Sequence, residues 1–257
     1  MFKKSVTTVY ETNTFSSFLE DVLHPGGLEF TKRVAKIAQV DANSLVLDIA
    51  CGKGKSLLLL AEEYGCNIVG IDISNINVAQ AKARVKRLDN RAKLIVSDAE
   101  SLPFIDGTFD VVLSECSFSS LPNKHEVALE IKRVLKPGGK LVISDIVKKK
   151  MPNYELKGCP FPLIPCLAGA RSIEDYMAIF KQAGFRSLHV QDHSLELKKL
   201  GYQIAVTFGG WEEFLHQLSA ELSLDSSLAA HSVRQYQEAL TREKFSYVLI
   251  AVSKGPC

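Results

Sequence analysis

No stretch of this chain approaches the roughly 18 consecutive apolar residues of a membrane-crossing helix, so no membrane partner is expected. Lys3 and Lys4 near the start are followed by no apolar run of the secretory type, which argues against export. The six cysteines, at positions 51, 66, 116, 159, 166 and 257, include no Cys-x-x-Cys pair. A zinc ribbon or thioredoxin-like site is thereby disfavoured and no metal site is expected. Free thiols in a reducing compartment, the cytoplasm, are the reading that remains. Blocks of one charge sign are missing too. Lysine and arginine number 31 against 29 aspartates and glutamates, a formal charge of +2. That balance gives no electrostatic case for nucleic acid or an anionic surface and leaves a small molecule as the expected partner.

What is present is an ordinary globular composition, 46% hydrophobic and 23% charged over 257 residues, enough for one sizeable core. Short apolar runs recur at Leu45 to Ile49, Ile68 to Ile71, Leu94 to Val96, Val111 to Leu113 and Leu141 to Ile146. Runs of this length suit strands buried on both faces. Between them lie helical spacings at Ser56 to Tyr64, Ser74 to Leu88 and Lys124 to Leu135, preceded by Leu28 to Ala38. In Lys124 to Leu135, the residues Val127, Ile131, Val134 and Leu135 form one stripe. Strand then helix, repeated, means an α/β doubly wound sheet.

Lys136-Pro137-Gly138-Gly139 is expected to stop a helix and turn the chain into the next strand. Residues 148–170, rich in proline and glycine, read as an irregular lid loop. A further helix is expected over Ile173 to Ala183, with closing strands at Phe185 to Val190 and Tyr247 to Val252. The insertion 195–242 reads as two helices, with breaks near Gly209-Gly210 and Ser226-Ser227. A single domain over 1–257 follows, divided into a lid (1–27), a core (28–147), the lid loop (148–170) and a last part (171–257) holding the insertion.

Four signals carry chemistry. Val46-Leu47-Asp48-Ile49-Ala50-Cys51-Gly52-Lys53-Gly54 is a strand entering a glycine turn before a helix, where backbone N–H groups can approach a polar ligand. Alone it fits any nucleotide, or a plain turn. Asp72 follows the next strand, 18 positions beyond Gly54, near the spacing at which an acid reaches ribose hydroxyls. A helix cap is the alternative, although Ser74 already suits that role. Ser97-Asp98-Ala99 follows the third strand and Ser114-Glu115-Cys116-Ser117 the fourth. Ligands of doubly wound sheets sit outside the carboxyl ends of the strands, so all four point at one crevice.

With Leu102-Pro103-Phe104, Phe109-Asp110 and Lys136-Pro137-Gly138-Gly139, these motifs over residues 28–147 resemble the class I S-adenosylmethionine-dependent methyltransferases. The segments His24-Pro25-Gly26-Gly27, Glu115-Cys116-Ser117 and Pro165-Cys166-Leu167-Ala168-Gly169-Ala170 are similar to a small-molecule subgroup of the type 11 and type 25 kind, distantly like arsenite methyltransferases. The resemblance implies a Rossmann-like seven-stranded, mostly parallel sheet with an antiparallel last strand. It implies S-adenosylmethionine as cofactor, with Asp48, Ala50, Cys51, Gly52 and Gly54 at the methionine part. Asp72 with Ile73 and Asn77 falls at the ribose, Asp98 with Ala99 at the adenine, and Glu115 near the reacting end. Ala50 stands where the family usually has glycine; alanine is tolerated there provided φ stays negative. Lys53, also unusual, either meets the methionyl carboxylate or points to solvent.

Methyl transfer from a sulfonium is an in-line displacement that needs alignment more than a dedicated base. If a base exists, Glu115 and His24 are the candidates, with Cys116 a third reactive group. His24 either lies near the sulfonium or orders its own turn. Cys51, Cys116, Cys159 and Cys166 suggest a metalloid acceptor, or are small hydrophobes. A non-catalytic, regulatory S-adenosylmethionine-binding protein is the other class. Nucleic-acid methylation is disfavoured, since no Asn/Asp-Pro-Pro-aromatic stretch follows the fourth strand. The acceptor site is expected among the first 27 residues, the 148–170 loop and the insertion, with Trp211 either a core anchor or a stacking ring. A monomer or homodimer is expected.

Overall fold

The computed structural model describes residues 2–148, 163–242 and 245–255. Seven strands form one sheet: β1 (Leu45–Ile49), β2 (Asn67–Asp72), β3 (Ala92–Val96), β4 (Phe109–Glu115), β5 (Leu135–Lys148), β6 (Arg186–Asp192) and β7 (Phe245–Ser253). Their order is β3-β2-β1-β4-β5-β7-β6. The pairs among β1 to β5 are parallel, and β7 runs antiparallel between β5 and β6. The doubly wound, mostly parallel sheet with a reversed last strand is thus present.

Alternation along each strand explains two apolar layers. Val46, Ile68, Leu113 and Val142 face one core; Leu47, Ile71, Val112 and Ile143 face the other. The first layer is covered by α3 (Gly27–Ala38), α4 (Lys55–Glu63) and α5 (Asn75–Val85), the second by α6 (Lys124–Val134) and α8 (Ile173–Gln182). In α6 the stripe Val127, Ile131 and Val134 is fully buried. Ahead of the core lie α1 (Phe2–Tyr10) and α2 (Asn13–Phe18). After it come α7 (Pro165–Ala168), α9 (Ser194–Phe208), α10 (Trp211–Glu221) and α11 (Ser226–Arg242).

Two expectations are revised. The late insertion folds as three helices, because Gly209 (φ 88°) and Gly210 end α9 and Ser226 opens a third. The fifth strand begins at Leu135, since Leu135 pairs with Phe109 before an irregularity restores the register at Val111 and Lys140. Lys136-Pro137-Gly138-Gly139 therefore bends a strand already begun, with Gly138 at φ 75°. Part of the 148–170 loop, with Cys159, lies outside the described residues, and what is described there includes the helical turn α7. Among the described residues no helix is long and apolar enough to cross a membrane.

Candidate active site

The sheet order reverses at β1 and β4, and the carboxyl ends of β1 to β4 open there into a crevice of about 840 Å³. Asp72, Asn77, Asp98 and Glu115 line it together with Ala50 and Gly52. Ile73, Ala99 and Cys116 line it as well. Through Ala50, Gly52 and Glu115 it joins a smaller chamber of about 410 Å³ that holds Asp48, Cys51 and His24. Four turns far apart in sequence thus meet in one hollow. Gly54 does not line it. At φ 78° it caps α4, and a Cβ there would stand 2.9 Å from Ala81 Cβ, so its role is close packing.

Asp72 ends β2 and is buried. Its Oδ2 accepts the Gly52 N–H at 2.9 Å and its Oδ1 the Ser74 N–H at 2.8 Å. One carboxylate therefore braces two ligand-facing turns, while Ser74 caps α5 by accepting the Asn77 N–H at 3.1 Å. Burial pushes the Asp72 carboxyl up, against the pull of those backbone bonds. Burial also drives Asp48 well above the usual range, with Glu115 and Asp72 adding repulsion. Close, buried carboxylates of this kind favour a cationic occupant.

Glu115 ends β4 with only 5% of its side chain exposed. It accepts the Ser56 hydroxyl at 2.8 Å and faces Thr31 Oγ1 at 3.1 Å. His24 is buried: Nδ1 donates to the Pro25 carbonyl at 3.3 Å, and Nε2 lies 3.3 Å from Thr31 Oγ1 and 3.6 Å from Glu115. His24 thus orders its own turn and also reaches the Glu115 carboxylate. Asp98 Oδ1 accepts the Glu100 N–H at 3.1 Å, while Oδ2 pairs with Lys3 from α1. Burial raises this carboxyl, but the bonds from Lys3 and Glu100 outweigh it and hold it below the usual range.

Ala50 is a correction. Its φ is +57°, not negative. An L-residue in that region is strained by about 1–2 kcal/mol. Ala50→Gly is expected to stabilise the fold by about 0.5–1 kcal/mol, after the added freedom of glycine in the unfolded chain is subtracted. A melting point raised by about 2 °C would be the sign, and a lowered one would contradict the strain.

Lys53 does not point to solvent but lines the smaller chamber. Its ammonium is buried against Asp21 at 3.0 Å, and Arg84 reaches the other Asp21 oxygen at 2.6 Å. The pairs tie the segment after α2 to the cofactor turn and to α5. Burial raises the Asp21 carboxyl, but Lys53 and Arg84 outweigh it and hold it below the usual range. A depressed folded value makes the contribution full above the unfolded pKa of about 4, and lost as pH falls through the folded value. The stability gap between the wild type and Asp21→Asn, read from denaturation between pH 7 and pH 2.5, should therefore close at the acid end. A gap independent of pH would contradict the pairing.

Lys3, Tyr10, Asp21, Thr31 and Ser56 are site residues that sequence reasoning missed. A hydroxyl on the buried face of a helix, as at Thr31 beside Phe30 and Val34, is the local signal among them. Of the thiols, Cys116 (φ 50°) and Cys166 are hydrogen-bonded neighbours, while Cys51 lines the smaller chamber. Among the described residues no group of three or more His, Cys, Asp or Glu is placed to hold a metal ion.

A switch-point crevice with an acid at the end of each of four strands defines a nucleoside-binding α/β enzyme. Residues 40–184, more than half of the chain, match the methyltransferase domain family, and the chain belongs to it. It is 28% identical over 239 residues to the methyltransferase GfsG of Streptomyces halstedii, covering 91% of this chain and 82% of that one. It is 31% identical over 156 residues to an arsenite methyltransferase of Halobacterium salinarum, spanning 59% of this chain but only 40% of that relative. The fold is similar to that of phosphoethanolamine N-methyltransferase 2 of Haemonchus contortus bound to S-adenosyl-L-methionine. That likeness has a TM-score of 0.77 at 20% identity and covers 99% of this chain and 60% of that one. The enzyme is thus an S-adenosylmethionine-dependent methyltransferase. The crevice fits that cofactor on its own terms, since Asn77 Oδ1 is buried and accepts no hydrogen bond, and the carboxylates suit a cation.

Proposed function

We propose that the chain methylates a small-molecule acceptor held against the Glu115–Cys116 end of the crevice. The observation that carries this reading is the meeting of Asp72, Asn77, Asp98 and Glu115 in one hollow. When bound, S-adenosylmethionine supplies a methyl carbon that the acceptor's lone pair attacks in line as the carbon–sulfur pair returns to sulfur. Asp72 accepts ribose hydroxyls on the lone pairs its backbone bonds leave free, with Asn77 Oδ1 beside it. Asp98 and Ala99 take the adenine, Lys3 giving way to its amino group. Asp48 and Glu115 attract the cationic sulfonium and ammonium. The α1 helix excludes water by lining the crevice with Lys3, Val6 and Tyr10. Glu115, held by Ser56, is the group placed to take a proton if the acceptor loses one. The four described thiols are free, which supports a reducing, cytoplasmic setting.

Incubation with methyl-labelled cofactor and a panel of acceptors tests the reading, arsenite among them. Label transferred to an organic acceptor supports it. Transfer to arsenite, lost on Cys116→Ser with Cys166→Ser, would instead favour the metalloid reading. Tight binding with no transfer to any acceptor would favour a regulatory protein.

A further inference from the structure

Beyond Tyr10, Leu23 and Cys116, which line both spaces, the crevice continues into a second cavity of about 660 Å³. Three distant segments build its walls: Phe18 of the lid, Ile164 and Leu167 at α7, and Leu200, Ile204 and Trp211 of the late helices. Rings cluster on one side, with Phe18 and Phe208 at 5.1 Å, Phe208 and Phe214 at 5.0 Å, and Trp211 and Phe214 at 6.0 Å. Every described lining residue is uncharged, and the polar atoms are confined to the Tyr10 hydroxyl, the thiols of Cys116 and Cys166, and the Trp211 indole.

The mouth is neutral as well. Burial and the neighbouring thiols hold the Tyr10 hydroxyl well above its ordinary value. The bond from Cys166, with burial, does the same for the Cys116 thiol. Both stay protonated at neutral pH. A phosphate, carboxylate or ammonium placed here would lose its water and meet no opposite charge, whereas hydrocarbon gains by leaving water.

Building on the methyltransferase reading above, we propose that this cavity is the acceptor site and selects an uncharged, largely hydrocarbon molecule. Its nucleophilic atom sits at the Tyr10–Cys116 mouth and its body lies among the late helices. The cavity's continuity with the cofactor crevice distinguishes it from a packing void.

Trp211 is the only tryptophan of the chain, so its emission reports this cavity alone. With the protein saturated by S-adenosylhomocysteine, 1-decanol should give a saturable blue shift. Decanoate, equal in length but charged, should bind at least tenfold more weakly, and phosphoethanolamine should give no shift. Leu200→Glu should weaken decanol binding at least tenfold while S-adenosylhomocysteine affinity, read by calorimetry, is retained. Should that variant lose the nucleoside as well, Leu200→Gln replaces it, with a several-fold loss expected. Decanoate or phosphoethanolamine binding as well as decanol, or decanol indifferent to both Leu200 variants, would overturn the proposal. Failure of the wild type to bind S-adenosylhomocysteine would instead strike at the methyltransferase reading.

Discussion

Asp72→Ala is expected to weaken S-adenosylmethionine binding at least tenfold for each ribose hydroxyl left without its partner, with the fold retained. A carboxylate offers about four lone-pair positions, and backbone N–H groups of Gly52 and Ser74 take two of them. The Ile73 N–H bears on the carboxylate too, and the capacity left over is what the proposed function gives to ribose hydroxyls. Each hydrogen bond to a charged group is worth about 1.5–3 kcal/mol, and about 1.4 kcal/mol is a factor of ten. The substitution also frees the Gly52 turn, so the loss should exceed that of a surface contact. Asp72→Asn should lose less but still bind poorly, because its amide would face one of the two N–H groups with another donor. Since burial raises this carboxyl, wild-type affinity should fall as acid protonates it, whereas the alanine variant should lack that step. Calorimetry over a pH series reads both effects. Unchanged affinity would place the ribose elsewhere.

Gly52→Leu carries the second large effect. Gly52 has φ +52°, and a Cβ built on it meets nothing within 4 Å. It lines both the crevice and the smaller chamber, so its side chain would enter the open space that the proposed function gives to the cofactor. The fold should lose about 1–2 kcal/mol to left-handed strain, a drop of several degrees in melting temperature. Binding should fall more than a hundredfold, because the leucine fills the hollow. Loss of stability with affinity kept would show that the hollow lies outside the binding site. Gly54, by contrast, faces Ala81, and its replacement should act through stability first.

The strands were legible because each is an apolar run bounded by turn residues. Leu45–Ile49 was read with its observed limits. The helices over the sheet were legible from their stripes, and Asp72, Asp98 and Glu115 from their place at strand ends. The rest depends on contacts between distant residues. Leu135 looked like the last residue of a helix because the partner that makes it a strand, Phe109, lies far back in the chain. The helix Phe2–Tyr10 was hidden by its lysines and β-branched threonines and valines, which weaken any local helical signal. The latch of Asp21 on Lys53 and Arg84 has no sequence signature, since charge pairs across a fold follow no spacing. Ala50 was misjudged because its sign of φ is set by the β1 to α4 turn as a whole. The second cavity is walled by the segments where an acceptor site was expected, yet its apolar character emerged only when those segments were packed together.

A crystal structure with S-adenosylhomocysteine bound most directly tests whether the acids at the ends of β1 to β4 surround one nucleoside. The expected result is the ribose on Asp72, the adenine beside Ala99 and Asp98, the amino acid part toward Asp48, and the sulfur facing Glu115 and Cys116. A nucleoside seated elsewhere, with Lys3 still holding Asp98 and the crevice closed by side chains, would contradict it.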